Sequence, residues 1–284
     1  MKDCFSCPQP SDAPMVDDCP VVHLSDSAED IDKLCALLYG VYHLNSESVD
    51  TSYLAMMMRI GRKYEIASLT STALNYMQHL FPSTLQEWDN RQGEVSRLSD
   101  NQDNAFIFDI INLAYESHVP SILPAAFLSL WRNYTIESIL SGIQRRKDGQ
   151  PLVTILGPQA MHDCLRGRMT FLPDFLHRVA GHLEKPGEYG YPFREYQIPD
   201  YGCEDICSKI FPDLLVLLLE LAKNESFQFH QGIDEIWTDS EEPCKPPLCT
   251  ECKYQLDSAF DNGRNEAWEG LPILLQLDQT FKVS

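Results

Sequence analysis

The region from residue 20 to residue 82 most constrains the fold, because apolar residues recur there with helical spacing in three short segments. Ser27 and Asp30 can cap the first segment, since a hydroxyl takes up an orphan N–H and a carboxylate suits the positive end of the helix dipole. Gly40 stands where a helix can end in the left-handed conformation, and Pro82 ends the third segment because it has no N–H. Each segment predicts a helix with one face that must pack on another element. The apolar stripes consist of Ile31, Leu34, Cys35 and Leu38; of Leu54, Met57, Met58 and Gly61; and of Leu69, Ala73, Tyr76, Met77 and Leu80.

A short apolar run, Val21-Val22-His23-Leu24, precedes these helices and lies between Pro20 and a Ser/Asp cluster. Such a run predicts a buried strand, in which His23 is interpreted as a core or edge histidine. Residues 20–82 are therefore predicted to form one strand followed by three helices.

This order resembles the second half of a BTB/POZ domain, with Leu38-Tyr39-Gly40 closing the first helix and Lys63-Tyr64-Glu65-Ile66 joining the last two. Residues 1–10 resemble only the tail of that family's first half. The resemblance implies a mainly α fold, with a truncated BTB/POZ-like α+β unit followed by a helical extension. It implies partners such as cullin-type ubiquitin ligase scaffolds or transcriptional corepressors. It does not imply homodimerisation, because the family's dimer surface lies mostly in the first half.

The domain organisation follows from a change in pattern near residue 85. Residues 1–85 are predicted to form the truncated unit, the polar stretch 86–102 a linker, and 103–284 a helical region. A Pro/Gly/Tyr-rich stretch at 184–202 predicts a loop, whose tyrosines either contact a partner or fold back over the core. Helices are predicted around 107–114, 121–131, 136–144, 159–168, 173–183, 203–221 and 253–268, and the chain outside residues 20–82 is expected to be almost entirely helix and loop.

Charge and composition exclude several classes of function. The chain has 42 acidic and 22 basic residues, a formal charge of −20, which argues against binding nucleic acid or an anionic membrane. We find no secretory signal and no apolar run long enough to cross a bilayer. Ten cysteines without an export signal indicate reduced thiols in a cytoplasmic or nuclear protein.

The cysteines are the candidates for chemistry. Cys249-Thr250-Glu251-Cys252, with Cys244 nearby, has a spacing that lets thiolates bind zinc. The fourth ligand would come from Cys203, Cys207 or His230, at irregular distances, so free thiols are the preferred interpretation. The same region resembles the tail of fungal BTB-containing proteins, through Cys249, Cys252, Arg264, Trp268, Leu271 and Pro272.

The sequence contains no nucleophile elbow, Walker loop, dinucleotide-binding motif or H-E-x-x-H pair. His177 and His182 are five residues apart and fall on different faces of a helix. We therefore assign no catalytic, cofactor-binding or metal residues and expect a non-catalytic protein–protein interaction module. The alternative is a small zinc-stabilised regulatory protein that uses the Cys244–Trp268 segment. Because the truncated unit lacks its usual cover, we also predict that residues 1–90 alone are insoluble or molten.

Overall fold

The computed structural model describes residues 15–17, 19–21, 23–42, 50–90, 105–147, 150–184 and 250–281. Over these ranges the chain is mainly α-helical, with two short antiparallel hairpins. It divides into two compact units, Met1–Met77 and Gln78–Ser284. The mainly α fold class is confirmed, whereas the boundary predicted after residue 85 differs from this division.

The first unit contains a small hairpin followed by three helices. Asp50 caps the second helix, because its carboxylate accepts the Ser52 N–H at 2.8 Å, and Glu65 adopts φ 54° at the turn into the third. The boundary between the two units falls in the last turn of this third helix. The elements are β1 (Met15–Val16), β2 (Cys19–Pro20), α1 (Ala28–Leu38), α2 (Thr51–Lys63) and α3 (Ala67–Leu80).

The strand predicted at 21–24 is wrong. The paired residues are Met15 with Pro20 and Val16 with Cys19, so the strand ends before Val21. His23 and Leu24 are exposed, and the latter keeps 44% of its surface accessible. An apolar run forms a buried strand only where a neighbouring strand can satisfy its backbone groups, and this sheet has two strands of two residues each.

The three helices of this region are confirmed, but the inward face of α1 differs from the prediction. Asp30 and Leu34 are its buried residues, whereas Cys35 and Leu38 are exposed. On α2 and α3 the predicted stripes are buried, apart from Tyr76, which is half-buried. Leu54, Met57 and Met58 are at most 3% exposed, so these side chains are covered in the full chain.

The second unit is built on two long antiparallel helices and an aromatic core. Rings of Phe127, Trp131, Phe171, Phe175 and Phe260 follow one another at centroid distances between 5.5 and 6.3 Å. This series links the middle of the unit to both of its long helices. The elements are α4 (Phe106–Glu116), a 3-10 turn (Pro120–Ile122), α5 (Leu123–Asn133), α6 (Ile136–Ser141), β3 (Ile143–Lys147), β4 (Gln150–Thr154), α7 (Pro158–Glu184), α8 (Thr250–Leu274) and α9 (Leu277–Thr280).

The helix predicted at 136–144 is only partly correct, because α6 ends at Ser141 and a hairpin follows. Gly142 has φ 78°, and a Cβ there would lie 2.7 Å from the carbonyl oxygen of Thr154, so a glycine is needed at this turn. β3 then pairs with β4 from Ile143 with Thr154 to Lys147 with Gln150. The sequence between these strands is Asp148-Gly149, a strong hairpin signal that the helical interpretation overlooked.

Two helices predicted at 159–168 and 173–183 form one continuous helix, α7, with Pro173 inside it. A proline removes one hydrogen bond from the helix. Because Pro173 is exposed, water can donate a hydrogen bond to the carbonyl that is left without a partner in the helix. Packing of α7 against α8 along its length offsets the cost. The helix predicted at 253–268 is confirmed and longer, since α8 spans Thr250–Leu274.

The first residues of the stretch predicted as a linker, 86–102, are part of a helix. Residues 85–90 are helical, and the Trp88 side chain is buried at 5% exposure. Its ring lies 5.7 Å from that of Trp268, and Asp89 accepts a 2.6 Å hydrogen bond from Arg264. The remainder of the predicted linker, the loop at 184–202 after Glu184, and the helix at 203–221 lie outside the described residues.

Candidate interaction surface

Large apolar side chains are exposed at the C-terminal end of α1. Leu38, Tyr39 and Val41 are 68%, 83% and 80% exposed. Single exposed apolar side chains are ordinary on protein surfaces, but neighbouring ones at one helix end form a patch. We call Leu38, Tyr39 and Val41 the α1 patch.

The backbone around the α1 patch is fixed by a Schellman motif. The Val41 N–H donates to the Ala36 carbonyl at 2.8 Å, and the Gly40 N–H donates to the Leu37 carbonyl at 3.2 Å. Gly40 has φ 68°, so the predicted role of this glycine is confirmed. The motif turns the chain sharply out of α1 and holds the patch residues on the surface.

Tyr42 anchors the chain just after the α1 patch. Its ring stacks on that of Tyr53 with the centroids 3.6 Å apart and the planes 8° from parallel. Tyr42 is half-buried, and this burial raises the pKa of its phenol. In the same unit, burial raises the pKa of Tyr76 to about 12.

The other end of α1 is held by a cap and an ion pair. Ser27 Oγ accepts the Asp30 N–H at 3.0 Å, as the sequence predicts. The Asp30 carboxylate, which is almost buried, then accepts two hydrogen bonds from the Arg59 guanidinium at 2.7 and 3.0 Å. Such a two-point contact fixes orientation as well as distance, so α1 cannot rotate relative to α2 without breaking it.

A second contact ties the chain before α1 to the end of α2. Asp26 accepts hydrogen bonds from Lys63 at 2.7 Å and from the Tyr64 hydroxyl at 2.5 Å. The hydrogen bond from Lys63 is the main reason that the pKa of Asp26 is lowered, and the same contact raises the pKa of Lys63. Both ends of α1 are thus attached, which leaves the α1 patch on a preformed surface.

The second unit contains a cluster of polar side chains around Asp163, whose side chain is fully buried. Its carboxylate accepts hydrogen bonds from the Tyr115 hydroxyl at 2.8 Å, from Gln159 at 3.1 Å and from Arg166 at 3.3 Å. The Nδ1 atom of His162 lies 3.1 Å away. We did not predict this cluster, although Gln159, Asp163 and Arg166 have the spacing of neighbours on one helix face.

The partners of Asp163 also hold the end of the chain. Arg166 donates to the Leu275 carbonyl at 2.6 Å and to the Gln276 side chain. The Tyr115 ring lies 5.4 Å from that of Phe281, and burial raises the pKa of its hydroxyl. Because the carboxylate is surrounded by donors from α4 and α7, the cluster joins these helices to the segment after α8 and holds them together.

The structure describes few of the residues considered for zinc. Cys244 and Cys249 lie outside the described ranges, and Cys252 lies in the first turn of α8, where its side chain is not described. Within the ranges that are described, no three His, Cys, Asp or Glu side chains form a group that could hold a metal.

Arg264, Trp268, Leu271 and Pro272 of the predicted tail motif all lie on α8. Arg264 pairs with Asp89, and the Trp268 indole N–H donates to the Ser83 carbonyl at 2.9 Å. Leu271 is fully buried and Pro272 is inside the helix. Arg264 and Trp268 therefore pack α8 against residues 83–89.

The histidines do not converge. His177 is exposed on α7, whereas His182 lies 2.9 Å from Glu266 on α8.

No family model matches the chain, and neither a curated protein nor a solved structure is similar to it. No helix in the described part of the chain is long and apolar enough to cross a bilayer. The BTB/POZ resemblance therefore stays a prediction.

Proposed function

We propose that this chain is a non-catalytic protein–protein interaction module of BTB/POZ type that serves as an adaptor or regulatory scaffold. The α1 patch is the observation that carries the proposal, since aromatic and aliphatic side chains at this exposure favour burial against another surface. The attachment of both ends of α1 supports it further, because a preformed surface loses little conformational entropy on binding.

The partner classes follow from the resemblance and from the charge. A cullin-type ligase scaffold or a transcriptional corepressor is the partner that the BTB/POZ resemblance implies. A formal charge of −20 disfavours nucleic acid and anionic membranes as partners. The reduced state expected for the ten cysteines sets this activity in the cytoplasm or nucleus.

Photo-crosslinking from the patch tests the proposal directly. The full chain is produced with a photoreactive amino acid at position 39 or, as a matched control, at position 273, where Ile273 is 75% exposed on α8. A protein crosslinked from position 39 and not from position 273 is identified by mass spectrometry. It is then purified and its affinity for the full chain is measured by calorimetry.

The affinity of that purified partner decides the outcome. Leu38→Ser with Tyr39→Ser is expected to weaken binding at least tenfold, since two contact residues each contribute about 1 kcal/mol or more. Ile273→Ser and Met169→Ser remove similarly exposed side chains from the second unit and should leave the affinity unchanged. Equal weakening by these controls, or none by the patch variant, would contradict binding through the α1 patch.

A further inference from the structure

The exposed face of α1 carries an acidic residue in line with the α1 patch. Asp32, Cys35 and Tyr39 are all exposed and follow one another three and four residues apart, which places them on one side of the helix. Asp32 precedes Tyr39 by seven residues, so the two positions are separated by about 10 Å along the helix axis. The same face is thus acidic toward the start of α1 and apolar at its end.

The electrostatic surroundings of this face are negative. Residues Met1–Met77 contain eleven acidic and five basic residues, a formal charge of −6. Three of these basic residues are engaged inside the unit, where Lys33 pairs with Glu29, Arg59 with Asp30 and Lys63 with Asp26. The last turn of α1 contains no basic residue, so the partial negative charge of the helix C-terminus is not offset there.

We infer that the partner of this surface is a basic amphipathic protein segment. Its apolar side chains cover Leu38, Tyr39 and Val41, and a lysine or arginine about two helical turns away faces Asp32. The inference rests on the proposed function and adds the chemistry of the partner to it. Charge complementarity favours a basic segment, because a neutral or acidic segment would make the apolar contact without the electrostatic attraction to this negative face.

Two other occupants are less compatible with the charge. A second copy of this chain would bring the same negative face against itself, and like charges placed opposite one another oppose association. An anionic lipid surface would be repelled for the same reason. Sedimentation of the full chain and of the patch variant, alone and with phosphatidylserine vesicles, distinguishes both from a protein segment.

A displayed library of random 16-residue peptides provides the probe. Peptides are selected on the purified full chain and counter-selected on the Leu38→Ser, Tyr39→Ser variant. The selected peptides should carry apolar residues three or four apart together with lysine or arginine. The strongest is synthesised, and its Kd is measured by fluorescence anisotropy at low and at moderate salt.

The variants separate the two proposals. Asp32→Lys is expected to raise the Kd roughly fivefold and to make the Kd less dependent on salt concentration. Effects of this size are typical of a charge at the rim of an interface. Asp261→Lys changes an exposed carboxylate on α8 and should have no effect. Circular dichroism melts check that each variant is folded.

The following results would overturn the inference. The inference is contradicted if the selected peptides need the α1 patch but are not enriched in lysine or arginine, and if Asp32→Lys does not change their Kd. That result leaves the proposed function intact. Self-association that is lost in the patch variant, or binding to phosphatidylserine vesicles, would replace the segment by a second copy or a lipid. If no selected peptide depends on the patch, both proposals fail together.

Discussion

The two units of this chain bury different kinds of side chain. In the described part of the first unit the buried apolar residues are aliphatic or methionine, and three consecutive methionines of α2, Met56, Met57 and Met58, are at most 3% exposed. In the described part of the second unit, phenylalanine and tryptophan rings are buried as well, from Phe81 and Phe108 to the series that ends at Phe260. Methionine is unbranched and adapts its shape, whereas stacked rings fit in few arrangements.

The ion pairs of the two units differ in how deeply they are buried. In the first unit, Asp30 pairs with Arg59, whose side chain is 43% exposed. In the second unit, Asp163 is fully buried and its partner Arg166 is 23% exposed. A partly exposed pair contributes little to stability, whereas breaking a buried network is costly. The comparison indicates that the second unit is the more stable scaffold, whereas the first unit, which presents the binding surface, depends less on buried polar contacts.

Cutting the chain tests this comparison with the largest effect. We expect residues 1–90 alone to be insoluble or molten, because Phe81, Leu85 and Trp88 lose the cover they have in the second unit. Each such side chain contributes roughly 1.5–3 kcal/mol when buried, so exposing three of them together leaves an apolar surface that favours aggregation. Residues 78–284 should retain a cooperative thermal transition, as measured by circular dichroism.

NMR spectra of the two fragments provide the check. A 1–90 fragment that is monomeric, with dispersed amide signals and a sharp melt, would show that the first unit is self-sufficient. If residues 78–284 instead lose their transition, the scaffold role assigned to the second unit is wrong.

A single ring inside the second unit should have the next largest effect. Phe175 is fully buried, 6.3 Å from Phe171 and 5.5 Å from Phe260, so it connects α7 with α8. Phe175→Ala is expected to lower the free energy of unfolding by about 3–5 kcal/mol in urea titrations. Met57→Leu in the first unit conserves volume and should cost less than about 1.5 kcal/mol. Comparable losses for the two variants would remove the contrast between the cores.

The sequence predicted helix positions well and helix faces less well. Ser27, Gly40 and Pro82 marked helix ends through local chemistry, and these signals need no tertiary contact. The inward face of α1 was missed because Asp30 is buried by an ion pair with Arg59, which lies 29 residues further along the chain.

The same limit applies to the candidate sites. Asp163 has its closest partner in Tyr115, 48 residues earlier, so no local spacing points to that contact. The α1 patch was missed for the opposite reason, since Leu38 has the period of a core residue and only its lack of cover shows that it faces solvent. Local periodicity thus determines that a helix forms, whereas long-range partners determine which side is buried.

Neutralising the buried carboxylate should have an intermediate effect. Asp163→Asn is expected to cost roughly 2–3 kcal/mol, somewhat below the value for a fully buried pair because Arg166 is partly exposed. Hydrogen exchange should become faster in residues 275–281, which Arg166 and Tyr115 hold. Asp174→Asn breaks a more exposed pair with Arg178 and should cost less than about 1 kcal/mol. Unchanged exchange after residue 275 would show that the cluster does not hold the end of the chain.

Removing metal should have the smallest effect, and it tests whether the second unit depends on its own core alone. Structural zinc needs four ligands, and Cys244, Cys249 and Cys252 have a fourth candidate only at irregular distances in Cys203, Cys207 or His230. We therefore expect no stoichiometric zinc in protein purified without chelator. Because the folding free energy would then include no contribution from metal binding, EDTA should leave the thermal transition unchanged.

The matched variant, Cys244→Ser with Cys249→Ser and Cys252→Ser, should melt at the same temperature as the unaltered chain. About one equivalent of zinc by mass spectrometry, lost together with the transition on chelation, would assign a zinc-dependent core to the second unit and favour a zinc-stabilised regulator.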